Sequence, residues 1–472
     1  LASRLDRDLF RHGTVYAASR VAGYAVVYAL LPVYAHLLGD AGLGAIEILA
    51  TASAVLTLLF LQGLGGAWLR LRFDQPDRAA VRGFEATLFW YLAATTAAAT
   101  GLLLVAGDWL APAALPGVPF WPLGALAVGA AALLVPVRLA EIKLQAEQRP
   151  AAYAALSIVR AAVTGGAIAV AIVGLDRGVR GKLEAELLAV GLTAAVAIAI
   201  VLRPGRPARG RLGPALAYGL PLLPHGLAVL LNNLIDRVIL GAMLGLGPTG
   251  VYGFGFQIAY APAIAAIALN QAFAPLFIRA VKRAEQAEAA GDDELARAQR
   301  TLLARAAVRQ VATVAVLALA AAAAAPFVIE LLAPASFADA ETVIAPIAGA
   351  SIAWACYFPF SQAILQQPRS VRLMPLITGA AAALNIAGNL VLIPELGIDG
   401  AAWATLGSNA VMALLAAAIG QRATPLPLPA SWLTVLAASA GGLATIALVD
   451  LAVVHLAVVV GAALLFRMTR VL

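Results

Sequence analysis

The sequence predicts an all-α polytopic membrane protein: about fourteen transmembrane helices, in two six-helix lobes related by a parallel repeat, with two extra helices at the C-terminal end. Three observations predict it. Apolar residues make up 62% of the 472 and charged residues only 12%. Segment after segment runs about 20 residues with almost no charge, long enough to cross a bilayer as a helix. The cationic residues, finally, collect at one end of these segments. All of the 32 Lys and Arg except Arg20, Arg160, Arg177, Arg180, Lys182 and Arg237 fall on alternate connections or segment ends.

In chain order the segments are 12–38, 43–69, 85–107, 121–147, 151–174, 183–203, 214–241, 250–278, 305–333, 341–366, 372–394, 400–420, 430–450 and 451–468. Basic residues mark the connections 70–82, 138–149, 203–211, 279–309 and 369–372, together with the N-terminus, Arg422, Arg467 and Arg470. By the positive-inside rule these ends and both termini are cytoplasmic. Among the connections on the other side, only 177–182 carries cations, namely Arg177, Arg180 and Lys182. The amphipathic start, Leu1 to Arg11, leads into an apolar run too long for a signal peptide.

The first outer hairpin, Leu38-Gly39-Asp40-Ala41-Gly42-Leu43-Gly44, recurs as Leu244-Gly245-Leu246-Gly247-Pro248-Thr249-Gly250. Gln148-Arg149-Pro150 and Gly178-Val179-Arg180-Gly181 recur as Gln367-Pro368-Arg369 and Gly397-Ile398-Asp399-Gly400. The offset grows between the two sets, and the loop at 279–304 is longer than its counterpart at 70–84 by a similar length. An even helix count gives both halves the same orientation, an arrangement of parallel repeats that recurs in secondary transporters. The expected divisions are 1–204, 205–422 and 423–472, with the Pro/Gly/Arg stretch 203–211 as linker.

Charges at membrane depth are costly and usually face a cavity or a partner. Arg20, Arg138 and Arg160 each lie about nine to eleven residues in from a basic end, roughly 13 Å at the α-helical rise. Three guanidiniums at one depth form a cationic ring suited to a phosphate, because arginine presents a planar fork of donors. The competing readings are local pairing for Arg138, which has Glu141 at i+3, and snorkelling for Arg20 and Arg160. Lys143 similarly has Glu147 at i+4. Toward the other side, Asn232, Asn233, Asp236 and Arg237 crowd one helix. Asp236 and Arg237 are about 100° apart round it and are not expected to pair. Glu47 lies at a comparable depth, so Glu47–Arg237 is the expected pair of an outer gate, with a polar headgroup patch as the alternative. Asn233, Gln257 and Asn270 offer neutral groups to sugar hydroxyls, or else hydrogen bonds between helices.

Several classes are disfavoured. The histidines lack metal spacing, the lone Cys356 excludes an intrachain disulfide, and no phosphate-binding GxxxxGK[ST] loop occurs. The net charge of +7 is explained by inner-leaflet basic loops and calls for no nucleic acid. The longest outer connection, 108–120, has one acid and no base, which argues against an enzyme. The mixed-charge stretch 279–309 reads as a helix lying on the inner surface, with partner docking as the alternative.

Two stretches carry a resemblance. Tyr218-Gly219-Leu220-Pro221-Leu222-Leu223-Pro224-His225, then Asn233-Leu234-Ile235-Asp236-Arg237-Val238-Ile239-Leu240-Gly241, on to Gly250-Val251-Tyr252, is similar to the seventh-helix signature of Wzx-type polysaccharide flippases. Leu384-Asn385-Ile386-Ala387-Gly388-Asn389-Leu390-Val391-Leu392-Ile393-Pro394, followed by Gly397-Ile398-Asp399-Gly400-Ala401-Ala402, resembles a signature of the wider MOP superfamily, which includes lipid II flippases and MATE drug exporters. The resemblance implies a V-shaped transporter in a bacterial cytoplasmic membrane. It would carry polyprenyl-diphosphate-linked oligosaccharide from the inner to the outer leaflet by alternating access, with Arg20, Arg138, Arg160 and Arg237 as diphosphate ligands and Glu47 and Asp236 as gate or coupling groups. No cofactor is expected beyond a coupling ion, Na+ or H+. Expected partners are the lipid-linked glycan, membrane lipids and other glycan-assembly proteins. Helices 13 and 14 resemble the extra pair of the lipid II branch, where such a pair helps form a lipid groove. The alternatives are a cation-coupled drug antiporter of the MATE type and a non-transporting scaffold of a glycan assembly complex.

Overall fold

The computed structural model describes residues 23–201, 206–208, 210–449, 451–469 and 471. Arg20 lies outside them. The chain is an all-α multi-pass membrane protein: twelve described helices are long and apolar enough to span a bilayer, beside the shorter apolar helices Gly23–Leu37 and Ala452–Met468. The described residues form two compact units that divide between Gly250 and Val251.

The first unit holds α1 (Gly23–Leu37), α2 (Gly39–Leu61), α3 (Leu64–Leu71), α4 (Arg78–Ala114), α5 (Ala125–Ala146), α6 (Pro150–Ala169), α7 (Gly178–Val201), α8 (Leu212–Gly219), α9 (Leu223–Met243) and the first residues of α10 (Leu246–Ala289). Its centre is α5, which packs on α2, α3, α4, α6 and α7. Leu139, Ala140 and Leu144 of α5 are buried with Trp68, Phe84, Leu88 and Ala197. The helix starts follow the usual chemistry: the Asp77 carboxylate caps α4 by accepting from the N–H groups of Ala79 and Ala80, and Pro150 opens α6.

The apolar segment expected over 43–69 is broken. Gln62 and Gly63 both take positive φ, 51° and 69°, which ends α2 and restarts the chain as α3. The break brings backbone against backbone: a Cβ on Gly63 would stand 2.8 Å from the carbonyl carbon of Gly219. The segment at 214–241 breaks at the same contact, where the 3-10 turn Leu220–Leu222 around Pro221 separates α8 from α9. Because α8 packs on α3 and α9 on α2, both group with the first six spans rather than with the residues after 250. The sequence division at 204 follows the repeat, and the packing follows these contacts.

The repeat has a physical meeting point. Gly39 and Gly245, equivalent in the two hairpins, both take positive φ, 69° and 88°. Gly44 and Gly250, also equivalent, touch: a Cβ on Gly44 would lie 3.0 Å from the Gly250 nitrogen, and one on Gly250 would lie 2.8 Å from the Gly44 nitrogen. Only glycine allows so close an approach at both positions.

The second unit holds the rest of α10, α11 (Asp293–Leu332), α12 (Ile344–Leu365), α13 (Pro368–Val371), α14 (Met374–Leu396), α15 (Ile398–Ala423), α16 (Ser431–Leu448) and α17 (Ala452–Met468). Its most buried span is α12, which packs on α11, α15 and α16. Between α14 and α15 the Nδ2 group of Asn385 faces Thr405 and Ser408, and Asn389 donates to Asn385. The surface helix expected over 279–309 is not a separate element. Those residues extend α10 and α11 into one long hairpin, turned at Gly291, where φ is +75°. Ala284, Ala287 and Ala296 pack inside it, Arg300 bonds Glu288 at 2.6 Å, and the Asp292 side chain caps α11. Small residues and complementary charge zip the two helices together instead of laying them flat.

Candidate functional site

Two clusters of charge lie within the spans of the first unit. The first is built on α5 and α6. Arg138 and Glu141 stand one turn apart on α5, two residues beyond the helix-bending Pro136, and Arg138 Nη1 donates to Glu141 Oε2 at 2.8 Å. The other oxygen of Glu141 faces Nη2 of Arg160 on α6 at 3.6 Å. One carboxylate, 7% exposed, therefore serves two guanidiniums, leaving the trio a net single positive charge. The local pairing expected for Arg138 is present and extends to Arg160. The Arg138 side chain remains 46% exposed, and the buried Nε of Arg160 has no hydrogen-bond acceptor among the described residues.

The second cluster sits on α2 and α9. The Asp236 carboxylate accepts from the backbone N–H of Arg237 at 2.9 Å and from its Nη1 at 2.6 Å. This corrects the expectation that neighbours 100° apart do not pair. The Asp236 side chain folds back onto the next peptide N–H, and the long arginine curls round to the same oxygen. Arg237 Nη1 also donates to the Asn233 carbonyl at 2.7 Å, while the Asn233 amide donates to the Val229 carbonyl. Glu47 Oε2 lies 3.5 Å from Arg237 Nε. With its side chain 2% exposed, Arg237 is enclosed by two carboxylates.

The remaining sequence candidates are dispersed. Asn270 accepts from Gln362 at 3.3 Å, a bond between α10 and α12 of the kind that ties membrane helices together. Gln257 is on α10, beside an aromatic file whose stacking the sequence did not reveal: Phe256 stacks on Tyr260 at 5.2 Å, Tyr260 neighbours Trp354, and Trp354 stacks on Phe358 at 5.6 Å. Its signal was the i, i+4 spacing of aromatics on both helices. Lys182, read from sequence as a loop cation, is in the first turns of α7, buried, and bonded to Glu186 at 2.6 Å. The i, i+4 Lys–Glu spacing was visible; its burial was not.

Lys143 also departs from expectation. It reaches Glu85 of α4 at 2.7 Å rather than Glu147, and Glu147 faces Arg72 and Arg149.

A family profile described as "Polysaccharide biosynthesis protein" matches residues 9–281. The chain belongs to the polysaccharide biosynthesis protein family. A search of curated proteins returned no match. Among solved structures, this family member is similar to the lipid II flippase MurJ in an inward closed conformation, at 12% identity over 97% of this chain and 98% of that one, with a TM-score of 0.69. It is also similar to an inward-facing multidrug resistance MATE family transporter of the MOP superfamily, at 15% identity over 86% and 96%, with a TM-score of 0.64. An outward-facing MATE transporter follows at 16% identity over 89% and 96%, TM-score 0.59. The chain thus has the fold of the MOP flippases and exporters.

Proposed function

We propose that the protein is a flippase carrying a polyprenyl-diphosphate-linked oligosaccharide from the inner to the outer leaflet of a bacterial cytoplasmic membrane, with both termini cytoplasmic. The observation that carries this reading is the Arg138–Glu141–Arg160 trio. It is a cationic cluster inside the membrane spans, with one arginine half exposed and a buried Arg160 N–H lacking an acceptor. A buried donor without a partner is costly, and an incoming anion supplies the acceptor. A diphosphate outcompetes one carboxylate for two guanidiniums because it offers more charge and more oxygens. Arg20, outside the described residues, is expected from the sequence to add a third cation at this depth.

The cycle is alternating access. Arg237 receives the charge on the far side as Glu47 and Asp236 release it, and Asn233, Gln257 and Asn270 meet glycan hydroxyls in passing. Flipping draws on a Na+ or H+ gradient, on the membrane potential or on removal of product. A drug antiporter of the MATE type would want a buried acid to hold a cationic drug. The acids of both clusters described here instead face arginines, which favours an anionic substrate.

The test is leaflet transfer of purified polyprenyl-diphosphate oligosaccharide in proteoliposomes. Transfer by wild type, lost in Arg160→Ala and Arg20→Ala and partly kept in Arg160→Lys, is the expected result. No transfer by folded wild type, with or without an ion gradient and potential, would overturn the reading in favour of drug export or a scaffold.

A further inference from the structure

On the side of the basic loops, the first unit holds a second polar site away from both clusters. A cavity of about 810 Å³ opens among Arg72, Gln75, Asp77, Arg78, Arg82 and Lys143, with Phe73 on its lining. Its floor is a buried charge lattice: Glu85 accepts from Arg72 at 2.8 Å and from Lys143 at 2.7 Å, and Glu147 lies 3.4 Å from Arg72. These charges neutralise one another. The rim does not. Asp77 is occupied in capping α4, and Arg78 and Arg82, one turn apart on the first turns of that helix, form no ion pair among the described residues.

Two further features narrow the ligand. Gln75 Nε2 donates to the Leu71 carbonyl at 2.8 Å, which fixes the amide orientation. Gln75 is one of the residues lining the cavity, and its buried Oε1 has no donor among the described residues, so the site asks for a hydroxyl as well as an anion. Phe73 is 69% exposed between Arg72 and the acidic Asp74, an apolar side chain at the lip of a basic cavity. An aromatic next to arginines at a membrane end suits the boundary of headgroups and acyl chains.

We propose that this cavity binds the headgroup of an anionic phospholipid carrying a free hydroxyl, of the phosphatidylglycerol type. Arg78 and Arg82 hold the phosphate, Gln75 Oε1 accepts from the glycerol hydroxyl, and Phe73 lies against the first acyl carbons. The lattice of Glu85, Lys143 and Arg72 keeps α4, α5 and the 72–77 turn in place around it.

The experiment is native mass spectrometry of the full chain in detergent, titrated with dioleoyl phosphatidylglycerol, phosphatidylcholine, phosphatidic acid and soluble glycerol phosphate. Wild type should retain phosphatidylglycerol at least ten-fold better than phosphatidylcholine. Arg78→Gln with Arg82→Gln, both exposed and outside the lattice, should abolish that preference with an unchanged melting temperature. Gln75→Leu should weaken phosphatidylglycerol several-fold and leave phosphatidic acid unaffected, which a general surface-charge effect would not do. Equal retention of phosphatidylglycerol and phosphatidylcholine by wild type would overturn the proposal, as would undiminished preference in the double variant. Glycerol phosphate displacing the lipid at equal concentration would overturn it in favour of a soluble phosphate ester.

Discussion

Gly44→Ala is the sharpest probe of the fold. A Cβ there would stand 2.8 Å from the carbonyl carbon of Leu246, closer still to its oxygen, and 3.0 Å from the Gly250 nitrogen. Ordinary contact begins near 3.4 Å, so the starts of α2 and α10 must part by more than the ~0.6 Å that the carbonyl carbon alone would require, because the oxygen is nearer. The neighbours are backbone, with no side-chain rotamer to yield. Overpacking of this kind costs about 1–3 kcal/mol. If the crossing forms in one transport state and opens in the other, that cost shifts their ratio by about 5- to 150-fold. The assay is disulfide trapping. In a Cys356→Ala background, Asp40→Cys and Gly247→Cys sit where a Gly247 Cβ would be 3.5 Å from the Asp40 carboxylate, and should cross-link readily. Adding Gly44→Ala should cut the cross-linking rate at least five-fold, while Gly407→Ala, with open space around it, leaves it unchanged. An unaltered rate in Gly44→Ala, with an unaltered melting temperature, would refute the backbone crossing.

Further outcomes are expected from substitutions at the other ion pairs. Glu141→Gln removes the charge that Arg138 and Arg160 share, and should raise the affinity for a soluble diphosphate at least several-fold by isothermal titration, while slowing release and turnover. Glu85→Gln strips Lys143 and Arg72 of a buried partner and should cost about 3–5 kcal/mol, read as a large fall in melting temperature in detergent. Arg70→Ala, which removes an exposed pair with Asp74, should leave the melting temperature unmoved. Glu47→Gln should keep the protein folded, because Arg237 retains Asp236, whereas Arg237→Ala removes the cation that both carboxylates face and should lower thermal stability and transport together.

The spans were legible because a bilayer demands long apolar runs, and the chain meets that demand segment by segment. The breaks inside them were not, since Gln62 is an ordinary helix residue until Gly219 needs the space beside Gly63. Arg138–Glu141 could be read from i, i+3 spacing. The share that Arg160 takes of Glu141, and Lys143's choice of Glu85, depend on which helices become neighbours, and spacing carries no such information. The pairing of Asp236 with Arg237 was misjudged because helical-wheel angles describe where a side chain starts, not where a five-bond guanidinium ends. The hairpin glycines were seen as a repeat signature; that Gly44 and Gly250 rest on each other is the physical reason both are glycines.

The hairpin of α10 and α11 also makes the protein its own reporter. At 44 residues α10 is roughly 66 Å long, about twice what a bilayer's hydrocarbon needs. Its tip, near Gly291, is joined stiffly to a span that carries Pro262 and Pro275. A bend of about 15° at Pro275 would swing the end of α10 through roughly 5 Å, a lever arm that magnifies small tilts. A spin label placed there would read movement of the spanning part of α10 without touching either charge cluster.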